Sequence, residues 1–267
     1  MTLKLTILGC GTSGGVPRIG GDWGKCDPAN SRNRRLRCSM IAEQTGDKGK
    51  TTILIDTSPD ARQQLLDANV SCLDAVLFTH DHADHTHGID DLRVVAMNAR
   101  SRVDVYCDDH TGSVLEQRFA YCFAALPGSS YRPILNKHTI KPGQEIEIQG
   151  EGGTVKVLPY HQHHGEIMSV GYRFGDIAYS CDINALPDET YKYLEGLDVW
   201  IVDALRYTPH PSHFSLEETL EAIERVKPKR AILTHMHTDL DYDTLVRELP
   251  DGVEPAYDGM ILKAINS

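Results

Sequence analysis

Basic charge is scarce in this chain. Lys and Arg number 27 against 38 Asp and Glu, a formal net charge of -11. Such a surface does not attract phosphate backbones or anionic lipid heads over a broad face, so neither nucleic acid nor a membrane is an expected partner. Long apolar runs are missing too, and none approaches the ~20 residues of a membrane-spanning helix. The opening segment, residues 1–8, is too short for a secretory leader and runs into glycines. It is read as a first strand, and the protein as cytoplasmic. No Cys-x-x-Cys pair occurs, and the cysteines Cys10, Cys26, Cys38, Cys72, Cys107, Cys122 and Cys181 are odd in number. Reduced thiols fit that pattern better than a disulfide framework. Low-complexity segments, long repeats and Ser/Pro-rich linkers are also lacking, so residues 1–267 are expected to form one domain. At 40% hydrophobic residues the chain can bury a sizeable core.

Strand-like runs occupy 3–8, 52–56, 74–79, 103–107, 154–158, 169–174, 176–181, 198–203, 230–234 and 260–264. Helical patterns separate several of them. Ser58-Pro59 predicts an N-cap and first turn for a helix to about Asp67. Residues 89–99 and 112–123 give two more helices, inside a helical insertion of about 88–135. The best-marked helix follows Ser215. Ser215 and Glu218 form a capping-box pattern, Leu216, Leu220, Ile223 and Val226 an apolar stripe, and Pro228 the stop. Mixed strands and helices of this kind predict sheets covered by helices.

The most informative stretch is Leu77-Phe78-Thr79-His80-Asp81-His82-Ala83-Asp84-His85. An apolar strand ends, and four groups able to bind metal follow in the pattern His-x-His-x-Asp-His. Imidazoles favour zinc and similar ions, and a carboxylate can be shared between two. Similar residues close other strands. Thr234-His235 repeats Thr79-His80, the run 155–160 is followed by His161, His163 and His164, and the run 177–181 is followed by Asp182. His161, His163 and His164 are all competent ligands, and His237 lies beside His235. The turn Asp108-Asp109-His110 reads as an ordinary polar turn.

Gly9-Cys10-Gly11-Thr12-Ser13-Gly14 matches a dinucleotide fingerprint, but Gly15, Pro17, Gly20 and Gly21 stand where its helix should begin. A tight loop at the rim of a site is the better reading, with backbone N–H groups able to approach a phosphate. Arg32, Arg34, Arg35 and Arg37 read as a solvated basic run, from which one side chain could reach a phosphate.

Through His80-x-His82-x-Asp84-His85, His164-Gly165, Asp182 and His235, together with the strand 53–55 ending in Asp56, the chain resembles the metallo-β-lactamase superfamily. The resemblance spans nearly the whole chain. It implies an α/β fold, a four-layer αββα sandwich of two mixed sheets flanked by helices. It also implies two divalent ions, zinc or manganese: His80, His82 and His164 would hold one, Asp84, His85 and His235 the other, and Asp182 would bridge. Asp56 would support the site from behind. His161, His163 and His237 are left as site wall or surface.

The opening 8–17 and the segment His213-Phe214-Ser215-Leu216 resemble the phosphodiesterase branch, typified by the phosphoribosyl cyclic phosphodiesterases of phosphonate breakdown. That resemblance implies hydrolysis of a small cyclic or nucleotide-like phosphate ester, with His213 and Asp84 as catalytic residues. A homodimer is left open. The branch also carries an N-terminal cysteine cluster for a structural zinc, whereas only Cys26 stands in that region here, so that ion is not expected. Thioester or lactam hydrolysis, an RNA-processing nuclease and a metal-binding protein without turnover remain as other readings.

Overall fold

The computed structural model describes residues 2–125 and 128–263. Two seven-stranded sheets stack face to face. The first holds β1 (Thr2–Gly9), β2 (Ser39–Gly46), β3 (Gly49–Ile55), β4 (Ala75–Leu77), β5 (Val103–Cys107) and β6 (Leu135–Thr139) in that order. The second holds β7 (Ile146–Ile148), β8 (Val155–His164), β9 (Ile167–Phe174), β10 (Ile177–Ser180), β11 (Val199–Asp203), β12 (Arg230–Thr234) and β13 (Val253–Pro255), also in sequence order. The last strand, β14 (Ile261–Lys263), crosses back and pairs with β1. In each sheet an antiparallel portion passes into a parallel one, β3 to β6 and β10 to β13.

Strand alternation builds the layers. Ile53 and Ile55 of β3 face the second sheet, while Leu54 faces outward; Ala75 and Leu77 against Val76 repeat the rule on β4. Successive strand side chains point to opposite faces, so a continuous apolar run means both faces are covered. The inner set joins Met40, Ala42, Val157, Tyr172, Trp200 and Ile232 into one core. The outer set is roofed by helices α1 (Ala61–Asp67), α2 (Ala83–Thr86), α3 (Leu92–Ala99), α4 (Asp109–Arg118) and α5 (Ala120–Phe123), with Leu65, Leu92, Val95 and Leu115 buried. On the second sheet α6 (Leu216–Val226) and α7 (Tyr242–Glu248) bury Leu216, Ala222 and Leu245. This is the αββα sandwich.

Several local expectations need correction. The helix after Ser58-Pro59 begins at Ala61, with Asp60 at the cap; the Ser58 hydroxyl instead accepts from the Asp60 N–H and donates to Gln64. The 89–99 element is a 3-10 turn, Ile89–Asp91, followed by α3. Asp108 is no plain polar turn: its side chain caps α4 by accepting from Thr111 N–H at 2.7 Å. That cap starts the helix earlier than 112, and the 112–123 element divides at Phe119. The strand foreseen at 154–158 runs on to His164, so the three histidines stand on the strand and not beyond it. Ala264, at the end of the foreseen 260–264 strand, lies outside the described residues. Among the described residues no helix is long and apolar enough to cross a membrane, and all seven cysteines are free thiols.

Two buried polar groups fasten the N-terminal loop. The Arg35 guanidinium is 1% exposed and donates to the carbonyls of Leu240 (2.7 Å) and His237 (3.3 Å) and to Asn33 Oδ1 (3.3 Å). Asp258 accepts from Leu36 N–H (2.7 Å), Cys10 N–H (3.1 Å) and the Cys10 thiol (3.3 Å). Burial nevertheless pushes its carboxyl up to about 7 from an ordinary 3.8. A carboxyl raised on folding contributes stability that is full below its unfolded pKa and is lost as pH rises through the folded value. Stability should therefore decline between about pH 4 and pH 7 through this group. Denaturant midpoints measured across that window should fall less in Asp258→Asn than in the wild type; equal slopes would count against Asp258 as the source.

Candidate metal centre

The site lies where strands of both sheets end on one edge. β4 leads into Thr79 and His80, β8 closes on His164, and β10, β11 and β12 deliver Asp182, Asp203 and His235. Open α/β sheets present ligand groups at the carboxyl ends of their strands for the same reason: the rigid ladder stops and the chain must turn. The turns here are sharp. Asp56 (φ 60°), Asp182 (φ 52°) and His235 (φ 58°) all adopt the left-handed conformation. L-residues in that region cost about 1–3 kcal/mol each and persist where the surroundings enforce them. Here the turn aims each side chain into the interior edge.

Among the described residues three groups of donors result, one of them Asp203, His213 and His235, and the other two share a carboxylate. His80, His82, His164 and Asp182 bring one atom each within 4.8 Å of one another, and so do Asp84, His85, Asp182 and His235. Asp182 belongs to both. Its Oδ2 lies 3.7 Å from His80 Nε2 and 3.5 Å from His164 Nε2. Its Oδ1 lies 3.1 Å from His85 Nε2 and 3.4 Å from His235 Nε2. Asp84 Oδ2 reaches His85 Nε2 at 3.4 Å.

In His80, His85 and His164 the opposite ring nitrogen is held from behind, while His235 Nδ1 has no hydrogen-bond partner. His85 Nδ1–H donates to Asp56 Oδ2 at 2.7 Å, and Asp56 also accepts from Thr79 N–H and Thr79 Oγ1–H at 2.8 Å each. Because the Thr79 hydroxyl donates to Asp56, it accepts from His80 Nδ1–H at 3.0 Å. His164 Nδ1–H donates to the Ser212 carbonyl at 2.7 Å. These contacts fix the tautomers and leave Nε2 lone pairs facing inward, as a metal requires.

The electrostatics are mixed: against burial, Asp182 raises His85 well above the usual histidine value and His235 to about 10, so a bound ion would displace their protons. Burial, joined by His85, holds His80 well below the usual histidine value. Burial also lowers His164, against the pull of Asp182. Against burial, His235 and His85 hold the Asp182 carboxyl well below its usual range, and His85 and His235 keep Asp84 low. The buried Nε2 atoms of His80, His85 and His235 have no hydrogen-bond partner. Unsatisfied buried nitrogens are costly, and a divalent ion satisfies several at once. The His/Asp clusters thus fit divalent metal ions.

The remaining sequence candidates divide by strand geometry. On β8, Tyr160, Gln162 and His164 point one way, buried; His163 is exposed and His161 half-buried on the opposite face. The alternation of β8 thus separates His164 from its neighbours, and only a longer strand assignment would have revealed it. His213 Nε2 lies 3.9 Å from Asp182 Oδ2, and its Nδ1–H donates to Asp203 Oδ2 at 2.7 Å. Asp203 was missed. It is fully buried at the end of an apolar strand, the same signal that marked Asp56 and Asp182. Arg118 of α4 was missed too. It pairs with Asp81 at 3.0 Å and so braces the loop between His80 and His82.

A family model described as Beta-lactamase superfamily domain matches residues 51–236, and the chain belongs to that superfamily, in its metallo-β-lactamase fold. More particularly, a solved structure of a diphosphatase from the PhnP family is 37% identical, with 99% of this chain and 98% of that chain covered and a TM-score of 0.88. An octanoyltransferase of Porphyromonas gingivalis is 32% identical over 97% of this chain and 51% of that protein. A ribonuclease Z of Methanopyrus kandleri is 28% identical over 65% of this chain and 51% of that protein. The chain thus spans about half the length of the curated relatives it matches.

Asp182→Ala removes the one donor common to both clusters. Plasma emission on dialysed protein should find the variant with well under half of the wild-type metal. A full complement in a folded variant would separate Asp182 from metal binding.

Proposed function

We propose that the protein is a dinuclear-metal-dependent phosphodiesterase acting on a small cyclic or nucleotide-like phosphate ester. The observation that carries this reading is Asp182, whose two oxygens face two separate histidine sets. In it His80, His82 and His164 hold one ion, Asp84, His85 and His235 the other, and Asp182 bridges. Zinc or manganese suits this donor set. Bound there, such ions supply Lewis acidity and lower the pKa of a coordinated water toward about 7.

The chain's own groups do the rest. His213 presents Nε2 to the edge where the ester must lie, and Asp203 fixes which nitrogen carries the proton. Nδ1–H is spent on Asp203, so Nε2 can give a proton to the leaving oxygen only from the doubly protonated ring, which Asp203 supports as its positioning residue. Asp84 is held as a carboxylate by His85 and His235 against burial, and it can orient the attacking water. The capped start of α6 follows His213 by two residues and favours negative charge nearby.

Phosphorus is favoured over an acyl centre by the likeness to the PhnP-family diphosphatase, which extends over both chains nearly end to end. The octanoyltransferase likeness covers only half of that protein, so its acyl chemistry does not transfer with it. The likeness to ribonuclease Z raises RNA as a substrate, but a net charge of -11 opposes tight binding of a long polyanion. A small substrate and a cytoplasmic setting follow from the same reading.

Purified protein loaded with manganese or zinc should hydrolyse bis(p-nitrophenyl) phosphate and lose that activity to chelator. Faster cleavage of a thioester or a β-lactam would overturn the substrate class. His213→Ala should keep its metal and lose about 100-fold or more in kcat. An unchanged rate would remove His213 from the chemistry.

A further inference from the structure

Three fully buried side chains outside the donor sets converge on Asp182: Gln162, Ser169 and Cys181. Gln162 lies on β8 between His161 and His163, and the register sets Ser169 of β9 opposite it. The Gln162 amide donates to the Ser169 hydroxyl at 3.1 Å and to the Cys181 carbonyl at 2.6 Å. The Ser169 hydroxyl donates in turn to the Asp182 carbonyl at 2.8 Å. The peptide groups on both sides of the Asp182 Cα are thus held. A left-handed aspartate persists where its surroundings enforce it, and these bonds do so at φ 52°. Gln162 Oε1 has no hydrogen-bond partner, so the amide is kept in the core for what its N–H groups hold.

The carboxylate is held separately. An ionised carboxylate only accepts, so the Cys181 thiol donates to Asp182 Oδ1, at 2.9 Å. Among the described residues no side chain but this thiol and the histidines bonds to or pairs with that carboxylate. The torsion that turns a carboxylate is broad and restrains it little, so an outside donor decides which way its oxygens face. Oδ1 is the oxygen that lies 3.1 Å from His85 Nε2 and 3.4 Å from His235 Nε2. Oδ2, which faces His80 and His164, is not the oxygen that the thiol holds. The restraint therefore falls on the half of Asp182 that serves the set of Asp84, His85 and His235.

We propose that Gln162, Ser169 and Cys181 are positioning residues for the shared carboxylate. Gln162 and Ser169 act through its main chain and govern both ions. Cys181 acts through Oδ1 and governs chiefly the ion of the Asp84, His85 and His235 set, without ligating it. This rests on the two-ion reading and goes beyond it, because it assigns the affinity of one ion to a thiol that stands in none of the donor clusters. Groups that orient metal ligands carry about 10–100-fold in affinity, which makes the effect measurable.

The test loads the protein with cobalt(II) and titrates it with a chelator, so that visible absorption follows each ion as it leaves. The wild type should hold two equivalents. Cys181→Ala should weaken one of the two by about tenfold or more and leave the other within about threefold. The weakened ion should be the one that Asp84→Asn also weakens. Cys181→Ser, which keeps a donor at the same place, should recover most of the loss. Ser169→Ala should weaken both ions by a similar factor, because both oxygens ride on one backbone, and Ser169→Thr should restore them. Two ions held as tightly in Cys181→Ala as in the wild type, equal weakening of both, or no recovery in Cys181→Ser would overturn the proposal and leave the two-ion reading standing. A sulfur-to-cobalt charge-transfer band that Cys181→Ser abolishes would make Cys181 a ligand and overturn it as well. Fewer than two equivalents in the wild type would bring down the two-ion reading itself.

Discussion

A single carboxylate shared between two sets of imidazoles is the constraint on which the rest of the architecture turns. Asp182 is 2% exposed and stands within 3.7 Å of four histidine Nε2 atoms. Four rings can surround one small anion only if their backbones arrive from several directions. Two sheets stacked face to face supply those directions. His80, His82 and His85 come from the first sheet; His164 and His235 come from the second. The left-handed turns at Asp56, Asp182 and His235 are the local strain that this convergence requires, and the surrounding hydrogen bonds hold them in place.

The buried ring of supports explains why the donors are ready for a cation. Asp56 is fully buried and touches three donors at once, so its orientation leaves no freedom to Thr79 or His85. Asp203 does the same for His213. Each supporting aspartate lies at the end of a parallel strand one step deeper than the residues it orients. The scaffold treats His85 and His213 alike, with a histidine in front and a carboxylate behind.

Much of this was legible in the sequence because the chemistry is written in local patterns. His-x-His-x-Asp-His follows an apolar run, and Thr-His recurs at 79–80 and 234–235. Continuous apolar runs on β3 and β4 marked strands covered on both faces. What stayed hidden depended on tertiary position. Choosing among His161, His163 and His164 required knowing that β8 continues through all three. β2, β7 and β13 are short of apolar contrast or short in length, and their pairing partners define them. Asp108 looked like a turn residue because capping and turning draw on the same side-chain oxygen. Asp203 ends an apolar strand as Asp56 and Asp182 do and was overlooked, whereas Arg118 acts through Asp81 with no motif of its own.

The closing strand has a consequence for how the molecule is made. β14 follows every other described strand in the chain, yet it pairs with β1, which precedes them. His80, His82 and His85 leave the ribosome some hundred residues before Asp182 and well before His235. A nascent chain therefore carries half of each donor set and cannot clasp an ion firmly until the second sheet docks. Firm binding of an ion would then report that the two sheets have come together.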